Sequence, residues 1–238
     1  MKIVALLTGR GNNTLKDKNI IDILGHPVLY YPANETKKSK LIDDFYCSSD
    51  DDKILSCAYT IGYKKIVRPI ELALPNSQHI DSIYHALDYM KNNDNCIPDI
   101  LIVLLANNVT VKTKWINDCI NIMKNDMTIS AVVPVINDND HHPLRAKRLD
   151  ENGNLSSYDI VGLNPKSTNR QDLPKNYFLS HNFWVLNVKK LLKNELGDGP
   201  WSFMGKKVKP YEIPESIDIH NENDLEIAKL WIKKNFNM

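Results

Sequence analysis

Short apolar runs alternate along this chain with helical stripes. Ile3-Val4-Ala5-Leu6-Leu7 is a compact run that ends in a glycine-bearing turn, as a buried strand does. Pro27 to Lys40 reads as a helix that Pro27 starts. Phe45 to Ser48 reads as the next strand, closed by Ser49 and the acidic run Asp50-Asp51-Asp52. One of these acids caps a helix carrying Ile54, Leu55 and Ala58. Lys65-Ile66-Val67 makes a third strand, and Ile80, Ile83, Tyr84 and Leu87 form an i, i+3, i+4, i+7 stripe. Ile100 to Ala106 is apolar nearly throughout and predicts the most deeply buried strand. Trp115, Ile116, Cys119, Ile120 and Met123 mark a helix, and Ser130 to Ile136 a further strand. Alternation of this kind predicts an α/β fold with a mainly parallel sheet flanked by helices.

The pattern changes between Asn137 and Leu179, which is polar and rich in Asn, Asp, Pro and basic residues. Glu151-Asn152-Gly153-Asn154 predicts a hairpin turn within it. Residues 137–179 therefore read as an arm inserted into a single domain spanning 1–238. Apolar structure resumes at Phe183-Trp184-Val185-Leu186, and Leu225, Ala228, Trp231 and Ile232 predict a closing helix.

Composition narrows the partners. The formal net charge of +1 gives no global case for nucleic acid or an anionic membrane, so a polyanionic ligand needs a local basic cluster. No stretch reaches the roughly 18 apolar residues of a membrane span, and the first apolar run is too short for a signal peptide. Cys47, Cys57, Cys96 and Cys119 lack CxxC or zinc spacing and predict reduced, buried thiols. A cytoplasmic location is expected, and the Asn-x-Ser/Thr triplets are discounted accordingly.

Chemistry begins at Thr8-Gly9-Arg10-Gly11-Asn12-Asn13-Thr14, followed by Lys16-Asp17-Lys18-Asn19. A glycine-rich turn after a buried strand exposes backbone N–H groups, and Arg10, Lys16 and Lys18 add positive charge for a triphosphate. The residues alone also allow an ordinary turn with solvated basic groups. The loop is neither a P-loop nor a dinucleotide fingerprint. Asp218 and His220 alternate with apolar residues; on a strand both would face one side and offer oxygen and nitrogen ligands. As an isolated pair they equally fit a turn before the last helix. His141-His142 reads as a polar loop pair, not a metal site.

The stretch from Leu7 to Ile20, ending in Lys18-Asn19, resembles the N-terminal signature of the CMP-sialic acid synthetase (acylneuraminate cytidylyltransferase) family. The resemblance continues in order through Ser48-Ser49-Asp50-Asp51, Arg68-Pro69-Ile70-Glu71-Leu72-Ala73, His141-His142-Pro143, Arg170-Gln171-Asp172-Leu173-Pro174 and Asp218-Ile219-His220. It implies a Rossmann-like nucleotidyltransferase domain that moves CMP from CTP to a nonulosonic, sialic-like sugar acid with release of pyrophosphate. It also implies Mg²⁺ or Mn²⁺, a homodimer built through the arm, and sugar-acid activation for cell-surface polysaccharide. Lys18, Arg10 and Asp218 then take catalytic roles, and Leu7, Gly9, Gly11, Asn12, Asn19 and Arg68 meet the nucleotide. Asn107, Arg145, Arg170 and Gln171 meet the acceptor, and Asp218 with His220 the metal.

Departures from the family pattern lie at Gly9, where the family has its loop arginine, and at Ala106-Asn107-Asn108-Val109, where it has Gln-Pro-Thr-Ser. His220 replaces the second metal aspartate, and an acceptor-side arginine near Phe178 is missing. Two alternatives follow: the same transfer to another acid, a phosphonate or a sugar phosphate, or a catalytically silent nucleotide-binding regulator. A dehydrogenase is a distant third.

Overall fold

The computed structural model describes residues 1–11, 13–158 and 168–236. In chain order the first half contains β1 (Ile3–Thr8), a small pair β2 (Asp22–Ile23) and β3 (His26–Pro27), α1 (Tyr30–Lys37) and β4 (Asp44–Ser49). There follow α2 (Asp52–Thr60), β5 (Lys64–Val67), α3 (His79–Asp94), β6 (Ile100–Leu105) and α4 (Thr113–Asn125). The second half contains β7 (Ala131–Asn137), β8 (Lys147–Leu149), β9 (Leu155–Ser157) and β10 (Tyr177–Leu179). It ends with β11 (Phe183–Asn187), α5 (Val188–Leu192), β12 (Val208–Glu212) and α6 (Glu222–Asn235).

Strand β1 pairs in parallel with β4 on one side and β6 on the other, and β5 extends the β4 side. The chain thus builds outward from β1 through β4 to β5, then returns through α3 to lay β6 on the opposite flank. This reversal is a topological switch point, where α/β sheets leave a crevice beyond the strand ends. Past β6 the sheet turns antiparallel at β11, which also pairs with β7. Strand β12 runs parallel along β7. Four of the seven pairings in this sheet, among the described residues, are parallel.

Side-chain alternation divides the core. Ile3, Ala5 and Leu7 of β1, with Ile100, Ile102 and Leu104 of β6, pack under α1, α2, α4 and α6. Val4, Leu6, Leu101 and Val103 face the other way, under α3 and α5. Both central strands are covered on both faces, which is why their sequences are continuously apolar.

Several expectations change. The predicted helix from Pro27 begins only at Tyr30, because Pro27 pairs with Asp22 across the β2–β3 turn, where Leu24 and Gly25 have φ of 54° and 84°. It stops at Lys37 rather than Lys40. The Ser39 hydroxyl accepts from Leu41 N at 3.2 Å and donates to Asn117 Oδ1 at 2.6 Å, a local turn that competes with the helix. Three cysteines are buried, but Cys57 is only partly so, since it lies beside the inward stripe of α2. The predicted hairpin forms as β8–β9, with Asp150 Oδ1 accepting from Asn152 N and Asn154 N. At the end of the arm β10 rejoins the main sheet on β7. Strand β12 escaped the pattern because it is a largely exposed edge strand that tolerates Pro210.

Candidate active site

A cleft of about 230 Å³ opens beyond the carboxyl ends of β1 and β6, at the switch point. Gly9, Arg10, Lys18, Asn19, Arg68 and Asn107 line it together, although they span a hundred residues of sequence. The loop after β1 is held from behind. Asp50 Oδ1 accepts from Gly11 N at 3.1 Å, and Asp51 caps α2 by accepting from Lys53 N at 2.7 Å. A Cβ on Gly11 would lie 2.8 Å from the Asp51 side chain, so this close approach requires glycine. Asn19, 3% exposed, donates to Arg10 O at 2.9 Å, and the Asn13 amide donates to the same carbonyl.

Arg10 reaches across the cleft mouth, its Nη1 donating to Leu74 O at 3.1 Å. At Gly9 a Cβ would lie 3.2 Å from Ala106 Cβ, closer than ordinary van der Waals contact, so a side chain there would need its neighbours to shift. The guanidinium one place later occupies the cleft instead. Arg68 does not end in solvent; it is 6% exposed and donates through Nε and Nη2 to Ser48 Oγ and Ser48 O at 3.2 and 2.8 Å. Burial pushes the Lys18 ammonium below its ordinary pKa, with Arg10 adding to the shift and Asp218 and Asp224 opposing it.

Asp218 is brought to this group from the far end of the chain. It lies outside the named strands and forms an isolated antiparallel bridge with Asn108. The Asn107 amide donates to its Oδ1, while Asn107 O accepts from Ile219 N at 3.0 Å. Asp218 Oδ2 stands 3.1 Å from His220 Nε2, so the two are neighbours without a strand. Burial raises the Asp218 pKa, against the pull of His220, Lys18 and His181. Among the described residues no group of three or more His, Cys, Asp or Glu side chains is placed to hold a metal ion.

Other expected residues lie elsewhere. Leu7 is wholly buried in the core, its backbone taken up in the sheet, and Gly11 faces the aspartates; neither lines the cleft. Asn12 lies outside the described residues. Arg170 and Arg145 both converge on Asp140, at 2.7 and 3.4 Å, and Gln171 lines a separate polar recess beside Arg170. His142 accepts from Leu144 N and His141 contacts Asp138, an ordinary polar loop pair. The cleft also contains Thr8, the first residue of the glycine–basic loop, together with Leu74, Ser77 and His79, which did not stand out in the sequence. A second cavity of about 1070 Å³ is lined by Tyr177, Phe178, His181, Trp201 and Lys206. His181 meets the rings of Trp184 and Trp201 there and feels the Asp218 charge.

The family model described as Cytidylyltransferase matches residues 9–158, from the basic loop to the β8–β9 hairpin. The chain belongs to the cytidylyltransferase family. This cytidylyltransferase is 26% identical over 239 residues to the pseudaminic acid cytidylyltransferase of Campylobacter jejuni subsp. jejuni serotype O:23/36 (strain 81-176), covering 99% of this chain and 98% of that protein. It is 22% identical over 231 residues to the N-acylneuraminate cytidylyltransferase of Streptococcus agalactiae serotype V (strain ATCC BAA-611 / 2603 V/R), covering 94% of this chain and 52% of that one. Its fold is that of a CMP:2-keto-3-deoxy-manno-octonic acid synthetase complexed with CTP. The TM-score is 0.70 at 12% identity, with 98% of this chain and 99% of that chain covered. Among the described residues of this cytidylyltransferase no helix is long and apolar enough to cross a membrane.

Proposed function

We propose that this cytidylyltransferase transfers CMP from CTP to a nonulosonic sugar acid, releasing pyrophosphate. The observation that carries the reading is the convergence of Arg10, Lys18 and Arg68 on one switch-point cleft, with Asp218 charged neighbour to Lys18. The acceptor class rests on the full-length relative named for pseudaminic acid. An acceptor oxygen attacks the α-phosphorus of CTP and the bond to the pyrophosphate oxygen breaks. Such transfer depends on positioning and charge neutralisation more than on covalent help from the protein. Lys18 and Arg10 neutralise the triphosphate and the departing pyrophosphate, and buried Arg68 holds the nucleotide end. The acceptor occupies the larger cavity, whose lining residue His181 also feels the Asp218 charge.

The donor set suits a hard divalent ion that takes most ligands from water and phosphate oxygens: one carboxylate, Asp218, with the His220 imidazole beside it. We assign Mg²⁺ or Mn²⁺ to these two residues, the nitrogen donor favouring Mn²⁺. When bound, the ion supplies Lewis-acid stabilisation of phosphate charge.

Arg145 and Arg170 sit on Asp140 in the arm and do not line the cleft of their own chain. We infer that residues 137–179 form a dimer contact and carry these arginines to a neighbouring subunit's acceptor. The free thiols and the use of CTP agree with a cytoplasmic enzyme.

The test is pyrophosphate release from each of the four nucleoside triphosphates, with Mg²⁺ or Mn²⁺, across pseudaminic, sialic and legionaminic acids. Release with CTP and one of these acids is expected. CTP binding without release for any acid overturns the acceptor class and moves the search to phosphonates and sugar phosphates.

A further inference from the structure

His79 is an imidazole of the cleft that the reaction, as described, leaves unused. It occupies the first position of α3, partly buried on a wall shared with Thr8, Arg68 and Ser82. Its Nε2 lies 3.0 Å from Thr8 Oγ1. The Thr8 hydroxyl has one hydrogen and donates it to Leu104 O at 3.0 Å. The hydroxyl therefore accepts from the imidazole, which puts the ring proton on Nε2 and leaves Nδ1 a bare acceptor. Trp184 lies beside the ring, with centroids 5.3 Å apart. Burial, then the charges of Arg68 and His181, push the His79 pKa down to about 4. The ring is neutral at pH 7, so Nδ1 carries no proton. Among the described residues no donor is paired with Nδ1.

A triphosphate offers oxygen acceptors, and a bare imidazole nitrogen repels them. The only donors that CTP brings to the cleft are on its nucleoside half: the exocyclic amine of the base and the ribose hydroxyls. The cationic groups Arg10 and Lys18 claim the other half. We propose that His79 is a specificity-determining residue whose Nδ1 accepts a hydrogen bond from the nucleoside half of CTP. Thr8 is its positioning partner, holding the tautomer that makes this acceptor available. The proposal rests on the reading of the cleft as the CTP site. It also gives the cleft an orientation, phosphates toward Lys18 and nucleoside toward α3. A site built to receive a donor rejects a ligand that presents an acceptor at the same place, because both groups are left unpaired.

Two substitutions separate the ring's two edges. In His79→Gln the longer amide reaches the Nε2 position and keeps the Thr8 contact but vacates the Nδ1 position. In His79→Asn the shorter amide places its oxygen near the Nδ1 position. Nucleotide KM and kcat are measured by pyrophosphate release, and CTP affinity by calorimetry without acceptor. His79→Gln is expected to raise KM and Kd for CTP about fivefold to tenfold, with kcat within about threefold, and His79→Asn to recover most of that loss. UTP and 2′- and 3′-deoxy-CTP locate the donor. If the preference for CTP over UTP narrows in His79→Gln, the base amine is the donor. If preference over one deoxynucleotide narrows instead, the donor is that hydroxyl. Wild-type CTP affinity in His79→Gln, or an Asn variant no better than the Gln variant, overturns the proposal and leaves the CTP site standing. Failure of the unsubstituted protein to bind CTP overturns both.

Discussion

Lys18 carries its charge at a cost, since burial and the Arg10 guanidinium both disfavour the protonated form while Asp218 and Asp224 restore it. An ammonium held this way is ready for the charge that develops on a pyrophosphate leaving group. Lys18→Met is therefore expected to lower turnover about a hundredfold, with a smaller rise in nucleotide KM, as read by pyrophosphate release. Unchanged turnover would remove Lys18 from the chemistry. His79 ties stability to pH. Its folded pKa of about 4 lies below the ordinary 6.5, so the neutral ring's contribution is complete above pH 6.5 and is lost as pH falls toward 4. Urea unfolding at pH 7.5 and 4.5 should show the loss, with a shallower dependence in His79→Gln. Lys18, Arg10, Asn19 and Arg68 were legible because they sit in ordered local motifs. His79 was not, because its meaning arises from Thr8, 71 positions away. Gly11 was legible as a glycine, but the close approach of Asp51 that requires one there was not, because Asp51 lies 40 positions away.

The elements around the site act as mounts. Helix α6 begins with a capping box in which Asn221 Oδ1 accepts from Asp224 N at 3.2 Å and Asp224 Oδ2 accepts from Asn221 N at 2.9 Å. Asp224 Oδ2 also accepts from His220 N at 2.8 Å, which joins the cap to the candidate metal pair. Asn221→Ala is expected to destabilise the fold by about 1 kcal/mol. Asp224→Ala should cost more, because it also frees the backbone of His220; urea unfolding of the two variants makes the comparison. Long apolar strands and striped helices were readable from periodicity, which is strongest where both faces are buried. The α1 start was not, since proline suits an edge strand as well as a first helical turn. The position of Asp218 was half legible: its neighbour His220 is beside it, but through a bridge to Asn108 and not through a regular strand.

At the scale of the molecule, the sheet divides the labour between its parallel half and its antiparallel half. The parallel β5–β4–β1–β6 block makes the switch point and its cleft, whereas β11, β7 and β10 support the larger cavity and the root of the arm. Sedimentation at micromolar concentration should give the mass of two chains, and removal of residues 147–157 should give one. A monomeric unmodified protein would sever the arm from dimerisation. The α/β class was legible from alternation alone. The antiparallel insertion was not, since β7 and β11 are buried apolar runs like any parallel strand, and only pairing partners far apart in sequence reveal their direction. The bridge between Asn108 and Asp218 has a consequence in time. Two hundred residues separate Lys18 from Asp218, so a ribosome adding about 5–20 residues per second finishes the cationic loop roughly 10–40 seconds before the carboxylate emerges. During synthesis the nascent chain exposes a basic loop before it possesses the carboxylate that neighbours Lys18 in the finished fold, and the cleft gains that acid only when the closing segment has been threaded back onto Asn107 and Asn108.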